Sequence, residues 1–259
     1  NLFFYFLNKF VFLFKVSLIF FLDNIAASMV DTETTRTIVG VLGNILALGL
    51  FASPIPTFIK IYKAKSVEDF KPDPYLATVL NCAMWCIYGL PFVHPDSYLV
   101  ISINSAGLII ELIYLVIFFI YSPFSKRRKI IIALVIETIF FVCVVVITLQ
   151  VFHTTKDRSM IIGTLCIIFN IVMYASPLTV MRMVIRTKSV KYMPFALSLV
   201  NFCDTIVWMI YSLLKFDVYI LIPNVLGAFS GLVQLILYAI YYRPTQWDTT
   251  ARETQLFYA

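Results

Sequence analysis

The sequence predicts an all-α membrane protein of seven transmembrane helices, ordered as two parallel three-helix repeats joined by a linker helix (3+1+3). Three observations carry this. Of 259 residues, 61% are hydrophobic and only 13% charged, against roughly 45–50% and 25% in a soluble domain. Apolar stretches fall at 37–60, 75–93, 98–121, 129–152, 160–185, 195–214 and 218–242, each close to the ~20 residues that cross a bilayer core of about 30 Å. The first three stretches recur in the last three.

The chain at 37–121 is the expected first repeat, 122–159 the linker helix with its loops, and 160–242 the second repeat. Residues 1–36 are an expected N-terminal extension. Within it, 2–22 read as a translated leader ahead of a true start at Met29, as a signal peptide ending near Ala26, Ala27 and Ser28, or as an extra span interrupted by Lys9 and Lys15. Residues 243–259 are polar without apolar period and read as a disordered cytosolic tail.

Such a chain leaves no room for a separate catalytic domain. Eight glycines and two histidines argue against a nucleotide cradle or a His-built metal site, so no cofactor, metal or enzymatic activity is expected. Cys82, Cys86, Cys143, Cys166 and Cys203 all lie in apolar runs, where a thiol packs as a small hydrophobe. The formal charge of +6 is topogenic. Fourteen Lys and Arg follow spans one, three, five and seven, against four in the alternate connections. By the positive-inside rule the amino end is outside and the carboxyl end cytosolic, and nucleic acid drops out as a partner.

The repeat is explicit. Ala52-Ser53-Pro54 returns as Ala175-Ser176-Pro177, Lys65-Ser66-Val67 as Lys188-Ser189-Val190, and Trp85-x-x-Tyr88 as Trp208-x-x-Tyr211, all at an offset of 123. Pro74 pairs with Pro194, and Asn104-x-x-Gly107 with Asn224-x-x-Gly227, at 120. The odd extra helix restores the orientation of the second triplet, which makes the repeat parallel, with its axis along the membrane normal.

A single transmembrane proline is most simply a packing kink. Pro54, Pro74, Pro177 and Pro194 sit symmetrically toward the cytosolic ends and read as paired hinges, whereas Pro56, Pro91, Pro123 and Pro223 read as helix-end residues. Asn104 and Asn224 either bond between helices, for about 0.6–2 kcal/mol, or offer donor and acceptor to a hydroxylated ligand. Trp85 and Trp208 fall at middle depth, where they either pack in the core or cover the C–H face of a pyranose. The matched pairs favour a saccharide site. Among acidic residues, Glu111, Glu137 and Asp204 are candidates for an intramembrane carboxyl; Asp204, one turn before Trp208 and paired with Asn81, is expected to face the cavity.

At this point the sequence resembles the SWEET family of sugar uniporters from about Thr37 to Tyr242, through G-x-x-G-N at 40–44, A-S-P at 52–54, K-S-V-E-D-F at 65–70, W-x-x-Y-G-L-P at 85–91, Y-A-S-P-L at 174–178, K-S-V-K-Y-M-P-F at 188–195, I-P-N-V-L-G at 222–227 and Q-L-I-L-Y at 234–238. The resemblance implies the 3+1+3 fold, bidirectional facilitated diffusion of mono- or disaccharides through the bilayer, and homo-oligomers. It also implies the four-proline hinge set, sugar contacts from Asn104, Asn224, Trp85 and Trp208, and an outer gate of Tyr88 with Asp217. Cavity size is implied to depend on Leu50, Asn81, Val172 and Asp204. The segments 71–81 and 153–159 look most like a plant subgroup that carries hexoses across the plasma membrane, although Asp204 and Val225 depart from that subgroup.

The expectation is therefore a bidirectional hexose uniporter working by alternating access. Its rivals are a proton-coupled carrier using Asp204 and, from a different class, a seven-helix receptor.

Overall fold

In a computed structural model of the protein, residues 32–243 and Thr245 are described. The N-terminal extension before Thr32 and most of the C-terminal tail lie outside them.

Nine helices occur among the described residues: α1 Thr32–Ala52, α2 Ile55–Ala64, α3 Asp73–Gly89, α4 Tyr98–Tyr121, α5 Phe124–Val151, α6 Thr155–Met173, α7 Ala175–Thr187, α8 Phe195–Leu214 and α9 Val218–Tyr241. They make seven spans, because α1 continues into α2 and α6 into α7. Six of the spans are long and apolar enough to cross a membrane. The other, α3, has 17 residues, about 26 Å at 1.5 Å per residue, and packs in the interior, where shortness is tolerated.

The proline motifs explain the two broken spans. Pro54 has no N–H, and Pro56 lacks one in the first turn of α2, so the ladder stops at Ala52 and restarts with Phe58 N–H donating to the Pro54 carbonyl at 3.1 Å. In the second repeat Pro177 removes the bond to Met173, and the Tyr174 N–H turns to both Asn170 and Ile171 carbonyls. Pro74 and Pro194 instead start helices: Pro74 lies in the first turn of α3, and Pro194 caps α8 in an extended conformation.

Packing obeys the repeat. In each half the third span lies between the other two: α4 touches α1 and α3, and α9 touches α6 and α8. The halves meet reciprocally, α1 on α8 and α3 on α6, while α5 leans on α3, α4 and α6. Details recur too. α2 and α7 both end in a left-handed lysine, Lys65 at φ 53° and Lys188 at φ 55°. Each ammonium then reaches a tyrosine hydroxyl at the end of the third span, Tyr121 at 3.3 Å and Tyr241 at 3.0 Å.

Helix ends differ from the hydropathy pattern where polar turns are helical. α6 starts at Thr155, capped by the Thr154 hydroxyl, and α5 includes the basic run after Pro123. One expectation needs correcting. Pro223 is inside α9 rather than at its end; it sits in the second turn, where its ring displaces only one ladder bond. Thr245 is buried and accepts a bond from Val190 N–H at 2.9 Å, while the rest of the expected tail after Arg243 lies outside the described residues.

Candidate functional site

Between the halves lies a cavity of about 160 Å³ whose fourteen lining residues are Ala47, Phe51, Asn81, Trp85, Val100, Ile103, Asn104, Asn170, Tyr174, Asp204, Trp208, Ile220, Pro223 and Asn224. They form seven repeat-related pairs. At offset 123 stand Ala47 with Asn170, Phe51 with Tyr174, Asn81 with Asp204 and Trp85 with Trp208; at offset 120 stand Val100 with Ile220, Ile103 with Pro223 and Asn104 with Asn224. Every side of the cavity therefore comes from the same positions of both repeats.

Local structure explains the placement. Asn104 and Asn224 each donate one amide N–H back to the carbonyl four residues earlier, at 2.9 Å to Val100 and 2.8 Å to Ile220. That leaves the other N–H and the carbonyl oxygen of each amide on the cavity lining. Each indole is braced by the tyrosine one turn on: Trp85 against Tyr88 at 5.3 Å, and Trp208 against Tyr211 at 5.1 Å, both edge to face. Close helix approach depends on glycines facing these rings. A Cβ on Gly43 would stand 2.9 Å from the Trp208 indole, and one on Gly107 would overlap the Phe51 ring.

A second, larger cavity of about 470 Å³, within the range typical of small-molecule sites, shares Asn170, Tyr174, Asp204 and Asn224 with the first. It runs toward the proline end, past Leu50, Pro177 and Pro194. The opposite end is closed. The Tyr88 hydroxyl donates to Asp217, 2.8 Å from both carboxylate oxygens, and both residues are buried. Asp217 also accepts from the Tyr219 and Ile220 N–H groups at the start of α9, so its position is set by the backbone.

His94 stacks on Tyr88 with ring centroids 4.8 Å apart, donates to or accepts from Ser97 at 2.8 Å, and approaches Asp217 at 3.6 Å. Burial lowers its pKa below the ordinary 6.5, the nearby Asp217 opposing that shift. Beside it, Tyr211 lies under the Arg36 guanidinium at 4.1 Å, and Arg36 donates to the Asp96 carbonyl at 2.7 Å. Lys215 hydrogen-bonds the Asp96 carboxylate at 2.6 Å and holds its pKa below the usual carboxylate range. The closed end is thus two aromatic plugs, each under its own cluster of charged and polar groups.

Of the residues singled out from sequence, Asn81, Trp85, Asn104, Asp204, Trp208 and Asn224 meet in the first cavity, and Leu50 lines the second. Val172 lines neither; it is 64% exposed on α6, while its neighbour Met173 faces the second cavity. A one-residue step on a helix turns a side chain by about 100°, which separates the two. Pro54 and Pro74 also lie outside both linings. Glu111 and Glu137 line neither cavity, although each has one buried oxygen without a partner.

Sequence reasoning passed over Phe51, Asn170 and Tyr174. Asn170 donates to Asn81 at 3.4 Å and to the Cys166 carbonyl at 2.9 Å. Tyr174 donates to the Pro223 carbonyl at 2.6 Å, pinning the break between α6 and α7 to the proline within α9. The signal was present in the repeat: all three sit within two turns before the A-S-P motifs, on the cavity face. The stack of His94 on Tyr88 has no sequence signature.

Comparison with known proteins agrees with this geometry. Residues 37–126 and 160–246 match the family described as "Sugar efflux transporter for intercellular exchange", with the gap falling on the linker helix. The chain is 59% identical over 231 residues to the bidirectional sugar transporter SWEET5 of Arabidopsis thaliana, covering 89% of this chain and 96% of that protein. It is 58% identical over 220 residues to SWEET4 of the same plant, covering 85% and 88%. A eukaryotic SWEET transporter solved at 3.7 Å superposes with a TM-score of 0.79 at 39% identity, covering 82% of this chain and 99% of that one. With its two parallel triplets, its linker helix and its central cavity, the chain belongs to the SWEET family of sugar transporters.

Proposed function

We propose that this protein is a bidirectional, facilitative hexose carrier of the plasma membrane, working by alternating access, with its amino end outside and its carboxyl end in the cytosol. The observation that carries the reading is the cavity built from seven repeat-related pairs, plugged at one end by Tyr88 on Asp217 and adjoining a larger cavity at the other. A site on the axis between two equal halves is reached from either side by rocking one half against the other. Two indoles cover apolar faces of a pyranose, and the amides of Asn104 and Asn224, with Asn81 and Asp204, meet its hydroxyls. Leu50 bounds the site toward the cytosol. In the same reading Val172 tunes cavity size through its neighbour Met173, and Pro54, Pro74, Pro177 and Pro194 are the hinges.

The functional units are 37–121 and 160–242, with 122–159 as connector, 1–36 as an extension and 243–259 as a cytosolic tail. The working assembly is a homo-oligomer, which chemical cross-linking in native membranes would reveal as a ladder.

Liposomes holding the protein should equilibrate labelled glucose in either direction without a pH gradient; absence of saturable flux for any sugar refutes the reading. Asn224→Ala and Trp208→Ala should abolish that flux while leaving expression intact. One observation favours a second reading, proton coupling: Asp204 Oδ1 is buried without a partner. Accumulation of glucose driven by acid outside, and lost in Asp204→Asn, would establish that alternative in place of passive transport.

A further inference from the structure

Asp204 is an anomaly in a site otherwise built of amides, indoles and apolar groups. No Lys, Arg or His lines either cavity. Ion pairs among the described residues lie at the helix ends, on Glu33, Glu68, Asp73 and Asp96. Asp204 lines both cavities, and its Oδ1 is buried with no hydrogen-bond partner. The carboxylate thus borders a chamber whose lining supplies no cation. Its repeat mate, Asn81, already has the Asn170 amide.

An unmatched carboxylate inside a low-dielectric site is costly unless a ligand brings the missing donor. A hydroxyl supplies one neutral donor. An ammonium supplies three donors and the opposite charge, and the faces of Trp85 and Trp208 add cation–π attraction. Resting on the carrier reading above, we propose that the site also accepts aminohexoses, with the sugar's ammonium on Asp204 and its hydroxyls on Asn104, Asn224 and Asn81. Asp204 is then a specificity-determining residue that selects charge at one carbon of the ring. A sugar whose nitrogen is acylated has neither the charge nor the two extra donors, and gains nothing from Asp204.

The test uses the full chain in liposomes at pH 7.5, below the ~7.7–8.0 at which an amine of the α-amino kind loses its proton. Labelled glucose, glucosamine and N-acetylglucosamine are compared by initial rate. Saturable glucosamine flux is expected, with the glucosamine-to-glucose ratio of kcat/KM falling about tenfold or more in Asp204→Asn and the N-acetylglucosamine ratio unmoved. In the wild type alone, raising the pH from 7.5 to 9.5 should lower the glucosamine-to-glucose ratio as the amine becomes neutral. Glucose flux without glucosamine flux, a ratio unchanged in Asp204→Asn, or a ratio flat across pH overturns the proposal and leaves the carrier reading standing. Loss of glucose flux in the wild type refutes the carrier reading itself. Where Asp204→Asn does not fold, the wild-type pH series decides.

Discussion

The Tyr88 hydroxyl lies 2.8 Å from both carboxylate oxygens of Asp217, tying α3 of the first repeat to the start of α9 in the second across 129 positions of sequence. Tyr88→Phe keeps the ring that stacks on His94 and removes only the donor. A hydrogen bond to a charged acceptor is worth about 1.5–3 kcal/mol. The variant should therefore show a lower Tm in detergent, and an unchanged Tm would mean that the contact does not hold the two halves together.

His94 gives the closed end a pH dependence whose sign follows from its burial. The imidazole is held neutral, its pKa below the ordinary 6.5, so unfolded or opened chains bind the proton more readily than this conformation does. Stability is fully present above about pH 6.5 and is lost as pH falls through the depressed value. Thermal melts between pH 7.5 and 5.5 should show a steeper fall for wild type than for His94→Gln. Parallel curves would place the titration elsewhere.

The glycines make a contrasting pair of substitutions. A Cβ at Gly107 overlaps the Phe51 ring, which also lines the first cavity, whereas nothing lies within 4 Å of a Cβ at Gly49. Gly107→Ala should cost about 1–3 kcal/mol by overpacking and reduce flux. Gly49→Ala should stabilise α1 by roughly 0.5–1 kcal/mol through helix propensity. Melts of both variants, with transport assays, check the two directions together.

Asn170→Ala makes the second repeat match the first at that position, where Ala47 stands. It frees the Asn81 carbonyl oxygen and takes one amide from both cavities. Sugar flux should fall several-fold through KM, with Tm changed little because the lost bond, at 3.4 Å, is long. Loss of expression in place of a KM effect would make Asn170 a packing residue.

Much of the fold was legible because the bilayer and the repeat are both periodic constraints. α4 at Tyr98–Tyr121 and α8 at Phe195–Leu214 match the apolar stretches residue for residue. α6 does not, since its first turn, Thr155 to Arg158, is polar and is helical by capping rather than by hydropathy. At the site, Trp85, Trp208, Asn104 and Asn224 were readable as chemically identical pairs. Ala47 with Asn170 and Phe51 with Tyr174 escaped because repeat matching by identity overlooks positions that the two halves use in common but fill differently. Pro223 was misplaced for a related reason: its repeat partner is Ile103, so no second proline drew attention to it.

The two walls of the cavity agree in shape and disagree in polarity. Alanine, phenylalanine and asparagine on one side face asparagine, tyrosine and aspartate on the other. A hexose has no dyad of its own. Turned end for end in this chamber, it meets a different set of donors and acceptors, so its two placements are inequivalent in energy. On the carrier reading proposed above, the near-symmetry of the two halves is therefore broken at the site itself, and the two orientations of a bound hexose are unequally populated.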